Sequence, residues 1–147
     1  MPETPCHMVR PANWSTDEAA IAHVRRVVFI EEQAVPEGLE WEALDPECAW
    51  FVACASDGEI VGIVRLTPDA RIGRMAVLTA WRRQGVGAAL LASALDAARR
   101  QGHSSVRLSA QTHALPFYAR YGFQPEGEIY QDAGIPHLAM TFTFKDN

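Results

Sequence analysis

The sequence contains no apolar run of the roughly 18 residues that a membrane-spanning helix needs. Its first residues carry no apolar segment of the kind found in secretory signals. Only three cysteines occur, in an odd number and without metal-site spacing: Cys6, Cys48 and Cys54. We therefore expect a cytoplasmic protein with reduced, structural thiols, no membrane association and no bound metal.

Two catalytic signatures are also missing. The sequence has no G-x-x-x-x-G-K-[ST] string, which argues against a P-loop NTPase. It has no G-x-S-x-G string either, so it offers no serine nucleophile of the hydrolase type. The basic residues are dispersed and the net charge is −5, which argues against a nucleic-acid partner.

What the chain does have is the composition of an ordinary globular protein. Its 147 residues are 48% apolar and 21% charged, and we expect one domain spanning 1–147. Charge is distributed unevenly along it. Residues 27–64 hold nine carboxylates and no Lys or Arg, whereas residues 65–107 hold eight Arg and two Asp. An acidic first half suits a cationic ligand and a basic middle suits an anionic one, although both patterns are also typical of solvated surface.

Hydrophobic periodicity predicts an α+β fold, with a mixed, mostly antiparallel central sheet flanked by helices. Ser15 and Glu18 read as a capping box that starts the first helix. Apolar residues spaced along a second helix follow Gly87, and Gly102 reads as the residue after its end. The predicted helices cover 16–31, the segment from Gly87 to about 100, and 114–121. The predicted strands cover 50–55, 60–66, 71–77, 105–110, 124–130 and 137–144.

A glycine-rich turn precedes the second helix, in the segment Arg82-Arg83-Gln84-Gly85-Val86-Gly87. Free N–H groups at a helix N-terminus favour phosphate, and glycine lets an oxygen-rich group approach the backbone. A dinucleotide fingerprint is one interpretation, but Leu90 stands at its third glycine position. An Arg-x-x-Gly-x-Gly motif and a helix start without a ligand are the other two.

Two motifs in order carry a family resemblance. The sequence Met75-Ala76-Val77 leads into the Arg-x-x-Gly-x-Gly turn. About 30 residues on, Gln111-x-x-Ala-x-x-x-Tyr118-x-x-x-Gly-Phe matches a second block whose first residue in the family is Asn. The chain resembles the GCN5-related N-acetyltransferases (GNAT) over nearly its whole length. The resemblance implies the acyl-CoA N-acyltransferase fold and acetyl-CoA as cosubstrate.

The resemblance also implies site residues. The backbone of the strand would pair with the pantetheine arm, with the Val77 N–H facing the thioester oxygen, and the turn would hold the pyrophosphate. Tyr118 would be the general acid that assists the leaving thiolate. Arg83 and Arg120 are further candidates for phosphate contacts. The implied cosubstrate-binding residues are Met75, Ala76, Val77, Arg82, Arg83, Gln84, Gly85, Val86, Gly87, Ala88, Gln111 and Tyr118.

The acceptor side is less well specified. An alkylammonium must lose a proton before it attacks, at a cost of roughly 4.6 kcal/mol at pH 7. We choose Glu32 as the base because it ends the first predicted helix beside the acidic stretch. Other candidates for the base are Glu31, His113 and His137. Trp41, Trp50 and Trp81 are candidates for an acceptor pocket or for the core.

These residues predict an acetyl-CoA-dependent N-acetyltransferase that acts on a primary amine by direct transfer in a ternary complex. The acidic first half favours a cationic acceptor. Two alternatives remain: a non-catalytic acyl-CoA-binding regulatory module, and a nicotinamide-dinucleotide binder. The sequence leaves open both a monomer and a homodimer.

Overall fold

The computed structural model describes residues 7–145, which contain a seven-stranded sheet flanked by helices. Cys6 and the first residues, on which the signal and thiol predictions partly rest, lie outside this range. The strands are β1 (His7–Pro11), β2 (Ala49–Ala55), β3 (Ile60–Leu66), β4 (Arg71–Val77), β5 (Ser105–Gln111), β6 (Gln124–Asp132) and β7 (Ile135–Thr143).

The strands lie in the order β1-β2-β3-β4-β5-β7-β6. All neighbouring pairs are antiparallel except β4 and β5, which run parallel. A parallel pair needs a long crossover, and the helix between β4 and β5 supplies it. The predicted mixed, mostly antiparallel α+β sheet is confirmed.

Four α-helices accompany the sheet in the described range: α1 (Trp14–Arg25), α2 (Glu37–Glu40), α3 (Val86–Arg100) and α4 (Leu115–Arg120). A π-helical segment (Arg26–Glu32) continues α1 without a break. Among the strands, β3 is buried at all seven positions because α3 covers one face of the sheet and α1 the other.

The predicted start of the first helix is wrong. Asn13 is its N-cap, and the Asn13 side chain accepts a hydrogen bond from the backbone N–H of Ser15. The reciprocal bond comes from Asp17 rather than Glu18, since the Asp17 carboxylate accepts from the backbone N–H of Asn13 at 2.8 Å. Asp17 also pairs with Arg10 on β1, a strand that the sequence prediction missed.

The other elements agree closely with their predictions. β3 and β4 have the predicted bounds, and the remaining predicted strands differ from the observed ones by a few residues at their ends. Gly102 follows α3 with a φ of +89° and is the predicted left-handed residue after the helix. The sequence prediction has no counterpart of α2, which at four residues is too short to show an apolar period.

Candidate active site

Strands β4 and β5 pair at their beginnings and then separate. Their register joins only Arg71 to Arg107 and Ile72 to Leu108. Beyond these pairs a cleft of about 740 Å³ opens, with Met75, Ala76 and Val77 on one wall and Ser109 to Gln111 on the other. The β4 backbone beyond Ile72 is thus left without a neighbouring strand on its β5 side.

A β-bulge in β4 sets which groups face this cleft. Between two paired positions β3 advances from Arg65 to Ile63, while β4 advances one residue further, from Gly73 to Ala76. Beyond the bulge, the backbone N–H of Leu78 donates to Val61 on β3. Since backbone groups alternate sides along a strand, the N–H and C=O of Val77 point away from β3 and toward the cleft. The sequence prediction that the Val77 N–H faces the thioester oxygen requires this direction.

The glycine-rich turn lies at the end of β4 and leads into α3. Gly85 is the N-cap of α3, with a φ of +81°, and no side chain caps the helix. The first backbone bond of the helix runs from Ala89 to Gly85, so the N–H groups of Val86, Gly87 and Ala88 have no acceptor within the helix. Such a helix start attracts an oxyanion.

The other predicted residues of the turn lie in different surroundings. Arg82 and Gly87 line the cleft. Val86 is buried in the core, so only its backbone is exposed to a ligand. Gln84 donates from its side chain to the carbonyl of Ala80, and Arg83 has a φ of +62°, an uncommon backbone conformation that helps shape the turn.

Tyr118 lines the same cleft from α4. Its ring packs edge-on against Phe117 and Phe123, with centroids 5.1 and 5.9 Å away. Burial raises the pKa of Tyr118 to about 12. The phenol is therefore protonated at neutral pH and is available as a hydrogen-bond donor.

Gln111, the residue that departs from the family's Asn, contacts the opposite side of the cleft. Its side-chain amide donates to the Gln33 side chain at 2.8 Å, just beyond the π-helical segment. The neighbouring Glu32 contacts the other wall. Both Glu32 carboxylate oxygens accept from Arg82, each at 2.7 Å. Consecutive residues thus connect the π-helical segment to both walls of the cleft.

This pairing changes the properties of Glu32. The hydrogen bonds from Arg82 hold the pKa of Glu32 below its usual value, which makes the carboxylate a weaker base. Arg82 also donates to the carbonyl of Val77 at 2.8 Å. Of the other candidates for the base, His113 and His137 line the cleft whereas Glu31 does not.

The acidic stretch pairs with Arg25, which precedes it, and with arginines of the basic stretch. Arg25, buried to 2% exposure, donates to Glu40 and Asp45 at 2.8 Å each. Arg65 donates to Glu42 at 2.7 Å and to Asp45 at 2.8 Å. We call Arg25, Glu40, Glu42, Asp45, Arg65 and Arg74 the ion-pair network. Much of the charge asymmetry that favours a cationic acceptor is therefore neutralised internally.

Burial acts on the acids of this network in different ways. It raises the pKa of Glu40 in spite of the bond from Arg25. In Asp45 the same burial is outweighed by hydrogen bonds from Arg25, the Glu42 backbone and Arg65, which lower the pKa. Sequence reasoning missed this network because its partners lie far apart along the chain. Its one sequence signal was the juxtaposition of an acid-only and an Arg-rich stretch.

The tryptophans do not line the cleft. Arg25 lies over the rings of Trp41 and Trp50, 4.7 and 5.2 Å from their centroids, and Trp50 is buried. Trp81 packs against the core beneath α3. Trp50 and Trp81 therefore follow the core alternative of the sequence analysis, whereas Trp41 is half-buried beside Arg25 and belongs to neither core cluster. Arg120 does not line the cleft either.

No helix between residues 7 and 145 is both long and apolar enough to span a membrane. In the same part of the chain, no group of three or more His, Cys, Asp or Glu side chains is arranged to hold a metal ion.

Comparison with known proteins places the chain in a family. The family model of the acetyltransferase (GNAT) domain matches residues 15–144. The uncharacterized N-acetyltransferase YjcF of Bacillus subtilis is 36% identical over 121 residues, which cover 80% of this chain and 86% of YjcF.

Solved structures share the fold. A Lactobacillus plantarum protein assigned to the N-acetyltransferases has a TM-score of 0.85 at 24% identity, over 94% of this chain and 98% of its own. An acyl-CoA N-acyltransferase from Pseudomonas aeruginosa has a TM-score of 0.79 at 29% identity, over 94% and 100%. The chain belongs to the GNAT acetyltransferase family, whose members use acetyl-CoA or another acyl-CoA as cosubstrate.

Proposed function

We propose that the protein is an acetyl-CoA-dependent N-acetyltransferase. It moves the acetyl group to a primary amine of a small molecule or peptide by direct attack in a ternary complex. The observation that carries this proposal is the separation of β4 from β5 beyond Ile72 and Leu108, with the Val77 N–H directed into the gap.

The β4 backbone offers a strand edge to the pantetheine arm. An extended chain can add to an exposed edge through main-chain hydrogen bonds, and the arm carries amides that can form them. The free N–H groups at the start of α3 then receive the pyrophosphate. The Val77 N–H stabilises negative charge on the thioester oxygen as the amine attacks. The other residues of the implied binding set, from Met75 to Ala88, act mainly through their backbone.

Tyr118 assists the leaving group. The amine nitrogen forms a bond to the carbonyl carbon, the carbon–sulfur bond breaks, and the electron pair leaves on sulfur. Full proton transfer from a phenol of pKa about 12 to a thiolate is uphill by roughly 5 kcal/mol. Tyr118 therefore acts first as a hydrogen-bond donor to the thiolate, with net proton delivery from solvent following.

The proton that the amine loses passes to a base, directly or through water. Glu32 remains our proposal for this base, with His113 and His137 as the alternatives that line the same cleft. The lowered pKa of Glu32 keeps it ionised, and its pairing with Arg82 limits its basicity.

We still favour a cationic acceptor. The residue that supports this choice is Asp132 rather than the paired acids of the first half. Asp132 lines the cleft at the end of β6 and is exposed. Among the described residues it has no ion-pair partner, in contrast to Glu32, Glu40 and Glu42. Polyamines, aminoglycosides and lysine peptides are the first amines to assay, with anionic amines as the contrast.

A Tyr118→Phe variant tests the proposal. We expect calorimetry to show wild-type affinity for CoA, because the strand edge and the turn are intact. We expect thiol release in the presence of an amine to fall at least about 100-fold, because the donor to the thiolate is lost. Tyr121→Phe, on the neighbouring exposed ring, is the matched control and should turn over normally.

The other results have distinct meanings. Unchanged turnover in Tyr118→Phe removes Tyr118 from the mechanism. CoA binding without thiol release from any amine in the wild type favours a regulatory acyl-CoA-binding module. No heat with CoA, together with a rise in Tm with NAD, favours the dinucleotide binder.

A further inference from the structure

We infer that Arg74 is a positioning residue: its guanidinium, held by α2 and the segment after it, fixes the β4 bulge that turns the strand edge toward the cosubstrate. This inference rests on the proposed function, because it assigns a role within the same cleft. It begins from an unusual backbone conformation at Arg74.

Arg74 lies in the bulge with a φ of +49°. This left-handed region is unfavourable for a residue with a side chain, and such residues persist only where their surroundings enforce them. The pairing between β4 and β5 ends two residues earlier, at Ile72. The strained residue therefore lies where the strands part.

The bulge also changes which backbone groups face the cleft. Before it, the Arg71 carbonyl accepts from Thr67, the residue that follows β3. Regular alternation from Arg71 would direct the backbone of Val77 toward β3. The extra residue reverses this phase, so the Val77 N–H faces the cleft instead. Relaxation of residue 74 to an ordinary extended conformation would turn these groups away.

The Arg74 side chain is held by α2 and the segment that follows it. It donates to the backbone carbonyl of Glu40 at 3.1 Å and to the carboxylate of Glu42 at 2.9 Å. Its Nε lies 3.3 Å from the Glu40 carboxylate, which is buried and also bound by Arg25. The guanidinium is therefore attached to a fixed, buried charge.

Substitution of Arg74 by glycine and by alanine removes the same guanidinium. Comparing the two variants therefore separates the effect of backbone strain at residue 74 from the loss of the side chain. Glycine adopts a positive φ without strain, whereas alanine does not. We expect Arg74→Ala to weaken CoA binding at least tenfold in calorimetry and to raise the KM for acetyl-CoA in parallel. We expect Arg74→Gly to weaken it only about threefold, and to melt at a higher temperature than Arg74→Ala.

Arg107, an exposed residue on β5 with an ordinary backbone, is the control for this order. Glycine in a strand normally costs more stability than alanine, so Arg107→Gly should melt below Arg107→Ala, and both should bind CoA normally. Equal losses of CoA affinity or of folding in the two Arg74 variants overturn the inference.

A second pair of variants tests the anchor without changing residue 74. Glu42→Gln removes the carboxylate that accepts from Arg74, and we expect CoA affinity to fall about threefold to tenfold. Glu37→Gln is the matched control, because it breaks an exposed pair with Arg26 in the same segment. Wild-type CoA affinity in Glu42→Gln overturns the anchoring role. Absence of CoA binding in the wild type itself rejects the proposed function instead.

Discussion

The two halves of the cleft are held in shape by different kinds of interaction. The half formed by the turn 82–88 depends on local backbone: Gly85 at positive φ and the uncapped start of α3. The half formed by the π-helical segment, α2 and residues 41–45 depends on ion pairs between distant parts of the chain. Arg25 and Glu40 are 15 residues apart, and Arg74 and Glu42 are 32 apart.

This difference affects how each half responds to substitution. A local turn fails through strain at one residue, and most of that strain is confined to the turn. A buried ion pair fails through the charge left behind, since a buried carboxylate without its partner keeps its desolvation cost. We therefore expect the first half to lose ligand affinity before stability, and the second half to lose stability first.

The largest expected effect is that of Arg25→Met. The variant leaves Glu40 and Asp45 buried without the guanidinium that pairs with both. We expect a loss of about 3–5 kcal/mol in the free energy of unfolding, measured by urea denaturation at pH 7. Because burial already raises the pKa of Glu40, protonation should relieve part of this loss as the pH falls.

Arg26→Met is the matched control. Arg26 is the next residue along the chain and pairs with Glu37, but both side chains are about half exposed. Exposed pairs contribute below about 1 kcal/mol. Similar losses in the two variants would mean that burial of the network does not distinguish this half of the cleft.

The same difference explains what the sequence could predict. The turn 82–87, β4, α3 and the Tyr118 block are encoded in adjacent residues whose spacing reflects their geometry, so the fold class and the positions of these elements were predictable. The network was not, because nothing near Arg25 specifies Glu40 and Asp45 as its partners. The bulge at Arg74 was hidden for a related reason: the strand pattern is correct in length, and only the pairing with β3 reveals the extra residue.

In Gly85→Ala we expect a smaller loss of stability, together with a selective loss of CoA affinity. An added Cβ meets no atom within 4 Å, so the cost is backbone strain at a φ of +81°, about 1–2 kcal/mol. We expect CoA affinity to fall as well, because relief of the strain moves the N–H groups at the start of α3. Calorimetry and thermal melting on the same samples measure both.

Gly58→Ala separates the two effects. Gly58 has a φ of +90° in the turn between β2 and β3, and its added Cβ also meets nothing within 4 Å. It should lose similar stability with unchanged CoA affinity. A parallel loss of affinity in Gly58→Ala would show that general destabilisation, rather than the turn itself, governs binding.

The smallest effect concerns a contact that joins the segment after the π-helical turn to β5. Gln111→Asn shortens the side chain that reaches Gln33, and so removes a half-buried hydrogen bond of 2.8 Å. We expect a loss of about 0.5–1 kcal/mol in the free energy of unfolding, and the same loss for Gln33→Ala. Because both substitutions remove one bond, the double variant should lose little more than either single variant, a coupling that a double-mutant cycle measures. Additive losses would show that Gln33 and Gln111 are independent across the cleft. Coupled losses would show that the longer side chain, where the family has Asn, links the π-helical segment to β5.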